Sequence, residues 1–136
     1  MLDHVGLQVS GYERSREFYR KVLAPLGSEL VMEVTAEQTG DGAHAGFGLD
    51  GRPTFWIGTS QQAPQPARAV HVAFTAPSRT AVMAFHRAAL AAGGTDNGAP
   101  GLRPHYHPNY YGAFVLDPDG HNIEAVCHTP SKANTP

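Results

Sequence analysis

Alternating apolar and polar positions predict a strand at the start of the chain. In LDHVGLQV, residues 2–9, Val5, Leu7 and Val9 share one face and His4 lies on the other. Apolar residues then recur at helical spacing, and Ser10 with Glu13 matches a capping box, so a helix is predicted that ends before Gly27. The remaining pattern predicts three strands, near Glu29–Thr35, Ala43–Leu49 and Thr54–Gly58.

The second half of the chain repeats this pattern at an offset of 67 residues. HVGLQVSGYERSREFYRKVLAPLG, from His4, aligns without a gap with HVAFTAPSRTAVMAFHRAALAAGG, from His71, and the same offset places FGLDGRPTFWIG on FVLDPDGHNIEA. Here the pattern predicts a strand at Ala69–Thr75 and a helix at Ser78–Ala92, followed by an irregular stretch to Asn109. Two final strands are predicted at Tyr110–Leu116 and Asn122–Cys127. The predicted fold is α+β, with tandem βαβββ modules forming a curved mixed-sheet half-barrel around a cavity.

Length and composition are those of one domain. We expect a single domain over residues 1–128, with module one at 1–60, a polar linker at 61–68, module two at 69–128 and a frayed tail at 129–136. The 136 residues carry a net charge of −2 and no basic run, which gives no electrostatic reason to expect nucleic acid or a membrane as partner. The single cysteine excludes an internal disulfide, and the first residues resemble neither a signal peptide nor a membrane span. A cytoplasmic protein is therefore expected.

The repeat also points to a metal site. His4 and His71 occupy equivalent positions on the first strands, and Glu124 lies on the last strand between apolar neighbours, where a buried carboxylate is costly unless it is paired. If the inner faces of the modules converge, these three side chains form a facial triad for a divalent metal. The same offset places Ile57, which cannot bind a metal, at the position of a fourth ligand. Taken singly, each histidine also fits a core or surface role, and Glu124 also fits an exposed edge.

These stretches resemble the vicinal oxygen chelate superfamily, which includes glyoxalase I, extradiol dioxygenases, fosfomycin-resistance transferases and bleomycin-binding proteins. The resemblance rests on LDHVGLQVSGYERSREFYRKVLAPLG, VHVAF and DPDGHNIEAV and spans about residues 2–128. It implies His4, His71 and Glu124 as ligands of a divalent ion, Fe²⁺, Mn²⁺, Zn²⁺ or Ni²⁺, and a homodimer that acts on a small-molecule substrate. The chain departs from glyoxalase I at the fourth ligand, from dioxygenases at Phe114, where they usually have tyrosine, and from fosfomycin transferases at Gly6.

Other candidate site residues surround these positions. RPHYHPNYYG, residues 103–112, is rich in groups that transfer protons, and we predict His105 and Tyr111 as catalytic, with His107 and Tyr110 in the substrate pocket. Phe55 and Trp56 are predicted to line the same pocket, although core packing is an alternative for at least one of them. His121, in the last turn, is expected to be exposed.

The sequence therefore predicts a metal-dependent enzyme with lyase, isomerase or dioxygenase activity on a small substrate that offers two neighbouring oxygens. A metal-free protein that sequesters a drug is the alternative from another class. A fosfomycin-type transferase is a third.

Overall fold

The computed structural model describes residues 1–61 and 69–131, which form two four-stranded sheets. In the first module the elements are β1 (Val5–Gln8), α1 (Tyr12–Leu23), β2 (Glu29–Val34), α2 (Ala36–Thr39), β3 (His44–Leu49) and β4 (Arg52–Gly58). In the second they are β5 (His71–Thr75), α3 (Arg79–Ala91), β6 (Thr95–Leu102), β7 (Tyr111–Leu116) and β8 (Asn122–Cys127).

The two sheets have the same topology. Their strand orders are β1-β4-β3-β2 and β5-β8-β7-β6; in each, the first pair is parallel and the other two are antiparallel. In each module the helix connects the first strand to the edge strand at the far side of the sheet, as a βαβββ unit requires. The predicted α+β fold with tandem βαβββ modules is confirmed.

The strand β6 was not predicted. Its sequence, TDNGAPGL, contains two glycines, a proline and two residues that strands disfavour. It nevertheless pairs with β7, with register shifts between Asp96 and Gly98 and between Gly98 and Gly101. The tertiary pairing thus overrides a weak local preference, and the expected irregular stretch is shorter than predicted.

Helix α1 begins differently from the prediction. Its N-cap is Gly11, without a side-chain hydrogen bond, so the expected capping box of Ser10 and Glu13 does not form. The Ser10 hydroxyl instead donates to Asp119 of the second module at 2.5 Å, and Arg14 lies 3.5 Å from the same carboxylate oxygen. An acidic side chain from the other half therefore occupies the start of the helix, where the helix dipole favours negative charge.

The modules pack against each other through their helices, α1 against α3. From α1, the Tyr19 hydroxyl donates to the buried carboxylate of Asp117, in the second module, at 2.6 Å. His121 is 2% exposed: Nδ1 accepts from Val70 N–H at 3.1 Å, and Nε2 donates to the Gln8 carbonyl at 2.8 Å. The expectation that His121 is exposed is therefore wrong, because the turn folds against β1 of the other module rather than into solvent.

Parts of two predicted segments lie outside the described residues, namely 62–68 of the linker and 132–136 of the tail. Within the ranges described, no helix is long and apolar enough to cross a membrane.

Candidate functional site

Strand register corrects the position equivalent to Glu124. Glu124 pairs with Ala73 on β5, and the equivalent of Ala73 on β1 is Gly6, which pairs with Trp56. Trp56, not Ile57, thus corresponds to Glu124, and Ile57 is fully buried in the core. The one-residue difference arises before β3, because Gly46 pairs with Trp56 as Phe114 pairs with Glu124, so the third strands already differ by the additional residue. Because a tryptophan side chain does not bind metal ions, the first module still lacks a carboxylate ligand at this position.

In the second module, His71 and Glu124 face each other. The His71 Nδ1 atom lies 2.9 Å from the Asn122 carbonyl oxygen, which can only accept, so Nδ1 carries the proton. The other ring nitrogen, Nε2, lies 3.2 Å from Glu124 Oε1. Glu124 is 2% exposed, whereas about half of the His71 side chain is accessible. The pair is therefore buried on the carboxylate side and open to solvent on the imidazole side.

The second carboxylate oxygen of Glu124 is occupied by Tyr110. The Tyr110 hydroxyl donates to Oε2, and Gly112 provides the space, because a Cβ there would lie 3.1 Å from the Tyr110 ring and 3.2 Å from Oε2. Burial, followed by the hydrogen bond to Glu124 and its charge, raises the pKa of Tyr110 to about 12. At neutral pH the phenol is therefore a stable donor that turns Oε1 toward His71.

This arrangement fits a cation between the two side chains. With the His71 proton on Nδ1, the Nε2 lone pair is directed at a carboxylate oxygen that also only accepts, and the two repel unless a proton or a metal ion lies between them. A separation of 3.2 Å suits two ligands of one ion when each is about 2.1 Å from it. The carbonyl that fixes the Nδ1 proton is the outer partner that metal-binding histidines usually have.

His4 lies apart from this pair. Its Nδ1 is 2.8 Å from Asp3 Oδ1, and this hydrogen bond and the histidine's charge lower the pKa of Asp3. His4 immediately precedes β1 of the first sheet, rather than lying within the strand as predicted, and lines a cavity of about 360 Å³ with His44 and Trp56. In the portion of the chain that the structure describes, no three histidine, cysteine or acidic side chains come together as metal ligands.

Glycines make room for the two aromatic rings that line this first-sheet cavity. The Trp56 ring lies against Gly46, where a Cβ would come within 2.9 Å of two indole carbons, and the His44 ring lies over Gly58, where a Cβ would overlap it. Two flat rings thus rest directly on the backbone of β3 and β4. Trp56, a predicted pocket residue, lines this first-sheet cavity, whereas Phe55, predicted for the same pocket, is 4% exposed and packs edge-on against Phe74 in the core.

The loop 103–110 holds the other predicted residues in different places. His105 is exposed and contacts Tyr106, which in turn contacts Tyr110. His107 packs edge-on against His128, which packs in the same way against Tyr110. Tyr111 points to the other face of β7, where its ring lies under the Arg79 guanidinium of α3. The structure brings Tyr110 to Glu124 and does not bring Tyr111 there.

Phe114 is a site residue that the sequence reasoning used only as a departure from dioxygenases. It pairs with Glu124 across β7 and β8, and its ring is nearly parallel to that of His71, with centroids 6.2 Å apart. The cross-strand position, two residues from Gly112 on the same face, could have identified it.

Residues 1–125 match the family model of the Glyoxalase/Bleomycin resistance protein/Dioxygenase superfamily. A glyoxalase/bleomycin resistance protein from Albidiferax ferrireducens is 31% identical, with a TM-score of 0.73 over 93% of this chain and 97% of that one. A mutant of glyoxalase I from Zea mays is 26% identical, with a TM-score of 0.70 over 92% of this chain and 45% of that one. A family enzyme from Burkholderia phytofirmans is 19% identical, with a TM-score of 0.65 over 93% and 98% of the two chains, and shares the fold. No curated protein matches the chain.

Proposed function

The chain belongs to the Glyoxalase/Bleomycin resistance protein/Dioxygenase superfamily, and from that premise we propose that it is a metal-dependent enzyme acting on a small substrate with two neighbouring oxygens. The observation that carries the proposal is the pair of His71 Nε2 and Glu124 Oε1, two acceptors 3.2 Å apart with the Nδ1 proton committed to a carbonyl. A divalent ion held there would act as a Lewis acid toward both substrate oxygens.

The surrounding residues have distinct tasks in this proposal. Asn122 fixes the His71 tautomer through its carbonyl, and Tyr110 holds the far oxygen of Glu124, so neither ligand rotates away. Phe114 covers one face of His71 and limits access of water from that side. The exposed imidazole of His105 is the remaining predicted acid–base group and could exchange protons with a bound substrate at the open side.

The third ligand, His4, comes from a second copy in this proposal. The modules of one chain pack through helices, and His4 lies on a sheet that is separate from that of His71 and Glu124. A twofold dimer that places the first sheet of one copy over the second sheet of its partner would complete two identical sites. Because Trp56 and His44 line the same cavity as His4, this dimer would also bring their rings next to the metal-bound substrate.

Metal binding is the direct test. Protein purified without chelator is analysed for metal, then stripped and titrated with Co²⁺, whose absorption reports the ligand set. We expect one ion per chain, and loss of binding in His71→Ala and Glu124→Gln. The matched control is His86→Ala, which removes a histidine on α3 that pairs with Asp96 at 2.8 Å. Wild-type protein that takes up no stoichiometric metal would rule the proposal out.

A mixing experiment tests the shared site. His4→Ala and Glu124→Gln chains are each expected to lose tight Co²⁺ binding alone. After subunits exchange, a mixed dimer has one complete site and one that lacks both ligands, so roughly a quarter of all sites should recover. No recovery in mixtures that sedimentation shows to contain mixed dimers would place the three ligands within one chain or exclude His4.

The reaction we propose is of the lyase or isomerase type, in line with the glyoxalase I relative from Zea mays. The same three-ligand set also suits ferrous dioxygenases. Oxygen uptake by the Fe²⁺-loaded protein with catechols separates the two, since only a dioxygenase consumes oxygen in step with substrate.

The second candidate is a metal-free protein that binds a planar drug. It is favoured by the Trp56 indole, which stands where the other module has Glu124 and lies flat on Gly46. Quenching of this single tryptophan by a planar ligand in chelator-treated protein, with the same affinity in Glu124→Gln, would support it against the enzyme.

A further inference from the structure

The positively charged guanidinium of Arg103 lies on the same face of the second sheet as His71 and Glu124, and neither metal binding nor pairing with a carboxylate explains its position. Arg103, directly after β6, is half-buried, and within the described ranges it has no ion pair. Its guanidinium lies over Phe114 at 5.5 Å from the ring centroid, and the other neighbour of that ring is His71. Arg103, Phe114 and His71 therefore form a row along the concave face of the second sheet.

The guanidinium is held in place but not saturated. Nη1 donates to the Gly101 carbonyl and Nη2 to the Ala99 carbonyl, both at 2.8 Å. Arginine has five N–H groups in a fixed fork, so these two bonds orient the group and leave the rest for a ligand. A Cβ at Gly101 would lie 3.2 Å from Nη1, and one at Gly98 would lie 3.3 Å from Nη2, so glycine at both positions leaves room for the charge against the sheet.

We propose that Arg103 binds a carboxylate of the substrate, so that the site selects small molecules that carry an anionic group apart from the two oxygens bound by the metal. This inference rests on the proposed function, which it deepens by naming a substrate class. A planar guanidinium pairs with a carboxylate through two parallel hydrogen bonds, and stacking on Phe114 keeps the fork rigid. The row places this anionic group one aromatic ring away from His71.

The test uses two probes that share the catechol ring, 3,4-dihydroxybenzoate and its methyl ester, in which a methyl group replaces the negative charge. Their binding to Zn²⁺-loaded and to metal-free protein is measured by calorimetry. We expect wild-type protein to prefer the acid, and Arg103→Gln to weaken acid binding about tenfold or more while ester binding is unchanged. Arg103→Lys keeps the charge without the fork and should recover part of the preference. The control Arg20→Gln, on the exposed side of α1, should change neither.

Several results would overturn the inference. These are a wild-type protein without preference for the acid, including one that binds neither probe, and an equal loss of acid and ester binding in Arg103→Gln. Dissociation of a dimer by that substitution would also overturn it, because the arginine would then pair with a carboxylate of the other copy. A protein that binds no Zn²⁺ contradicts the proposed function alone, since an Arg103-dependent preference for the acid in metal-free protein would stand.

Discussion

His121 joins the two modules, and its removal should cost measurable stability. In His121→Leu the Gln8 carbonyl loses its donor and the Val70 N–H loses its acceptor, while the buried volume is nearly kept. A net hydrogen bond contributes about 1 kcal/mol, and a polar group left without a partner costs about 1–3 kcal/mol. Since Val70 is partly accessible to water, we expect a total loss of about 2–3 kcal/mol in the free energy of unfolding.

Urea unfolding followed by circular dichroism is the assay, with the slope against urea compared between variants. The melting temperature should fall by about 10 °C, at roughly 4 °C per kcal/mol for a chain of this size. His121→Gln, which can still reach the Gln8 carbonyl, should lose about half as much. His105→Leu is the control, because it changes an exposed histidine in the same way. A loss in His121→Leu no larger than in this control would refute the assignment of His121 as the link between modules.

Three further substitutions test other contacts. Burial and then the charge of Asp117 raise the pKa of Tyr19 well above its usual value, so its contribution is complete below about pH 10 and decreases as the pH rises beyond it. Unfolding measured from pH 8 to 11 should show a steeper loss in wild-type protein than in Tyr19→Phe, and equal slopes would contradict the assignment. Gly112→Ala should weaken Co²⁺ binding about tenfold, because the added Cβ would displace the Glu124 carboxylate. An unchanged melting temperature is the control for folding. An unchanged Co²⁺ affinity would contradict the close packing of Gly112 against Glu124. Hydrogen bonds from Tyr12 and Arg16 of α1 lower the pKa of Glu33, so the carboxylate stabilises the fold above about pH 4.5 and this stabilisation is lost as the pH falls below that value. Glu33→Gln should therefore reduce the decrease in unfolding free energy on acidification, and an unchanged decrease would exclude a contribution from Glu33.

The repeat made the fold predictable because it reports the same local pattern twice. Strand and helix positions follow from alternation and helical spacing, and β8 (Asn122–Cys127) has the predicted bounds. The unpredicted strand β6 depends on pairing with β7, which no local pattern of its own sequence reveals. The same holds for Ser10, whose position predicts a helix cap but whose hydroxyl donates to Asp119, 109 residues further along the chain.

The candidate site was predictable in part. The predicted convergence of His4, His71 and Glu124 on a metal stays a prediction, but strand alternation does place the last two on one face, where their side chains lie 3.2 Å apart. The contacts of Tyr110 and Arg103 depend on how a loop folds back over the sheet, and loop geometry has no periodicity from which to predict it. The comparison places Ile57 instead of Trp56 opposite Glu124, because an ungapped alignment cannot detect the additional residue that the second module has before its third strand.

The additional residue of the second module shows where the two halves can diverge. Gly46 and Trp56 pair as Phe114 and Glu124 do, so this residue lies before the third strand and not in the hairpin that follows it. A slip of one residue within a strand would turn every later side chain to the opposite face, whereas a connection outside the strands takes up the residue without this effect. Insertions and deletions can therefore accumulate in the connections before β3 and β7 while the residues that face the cavity keep their orientation.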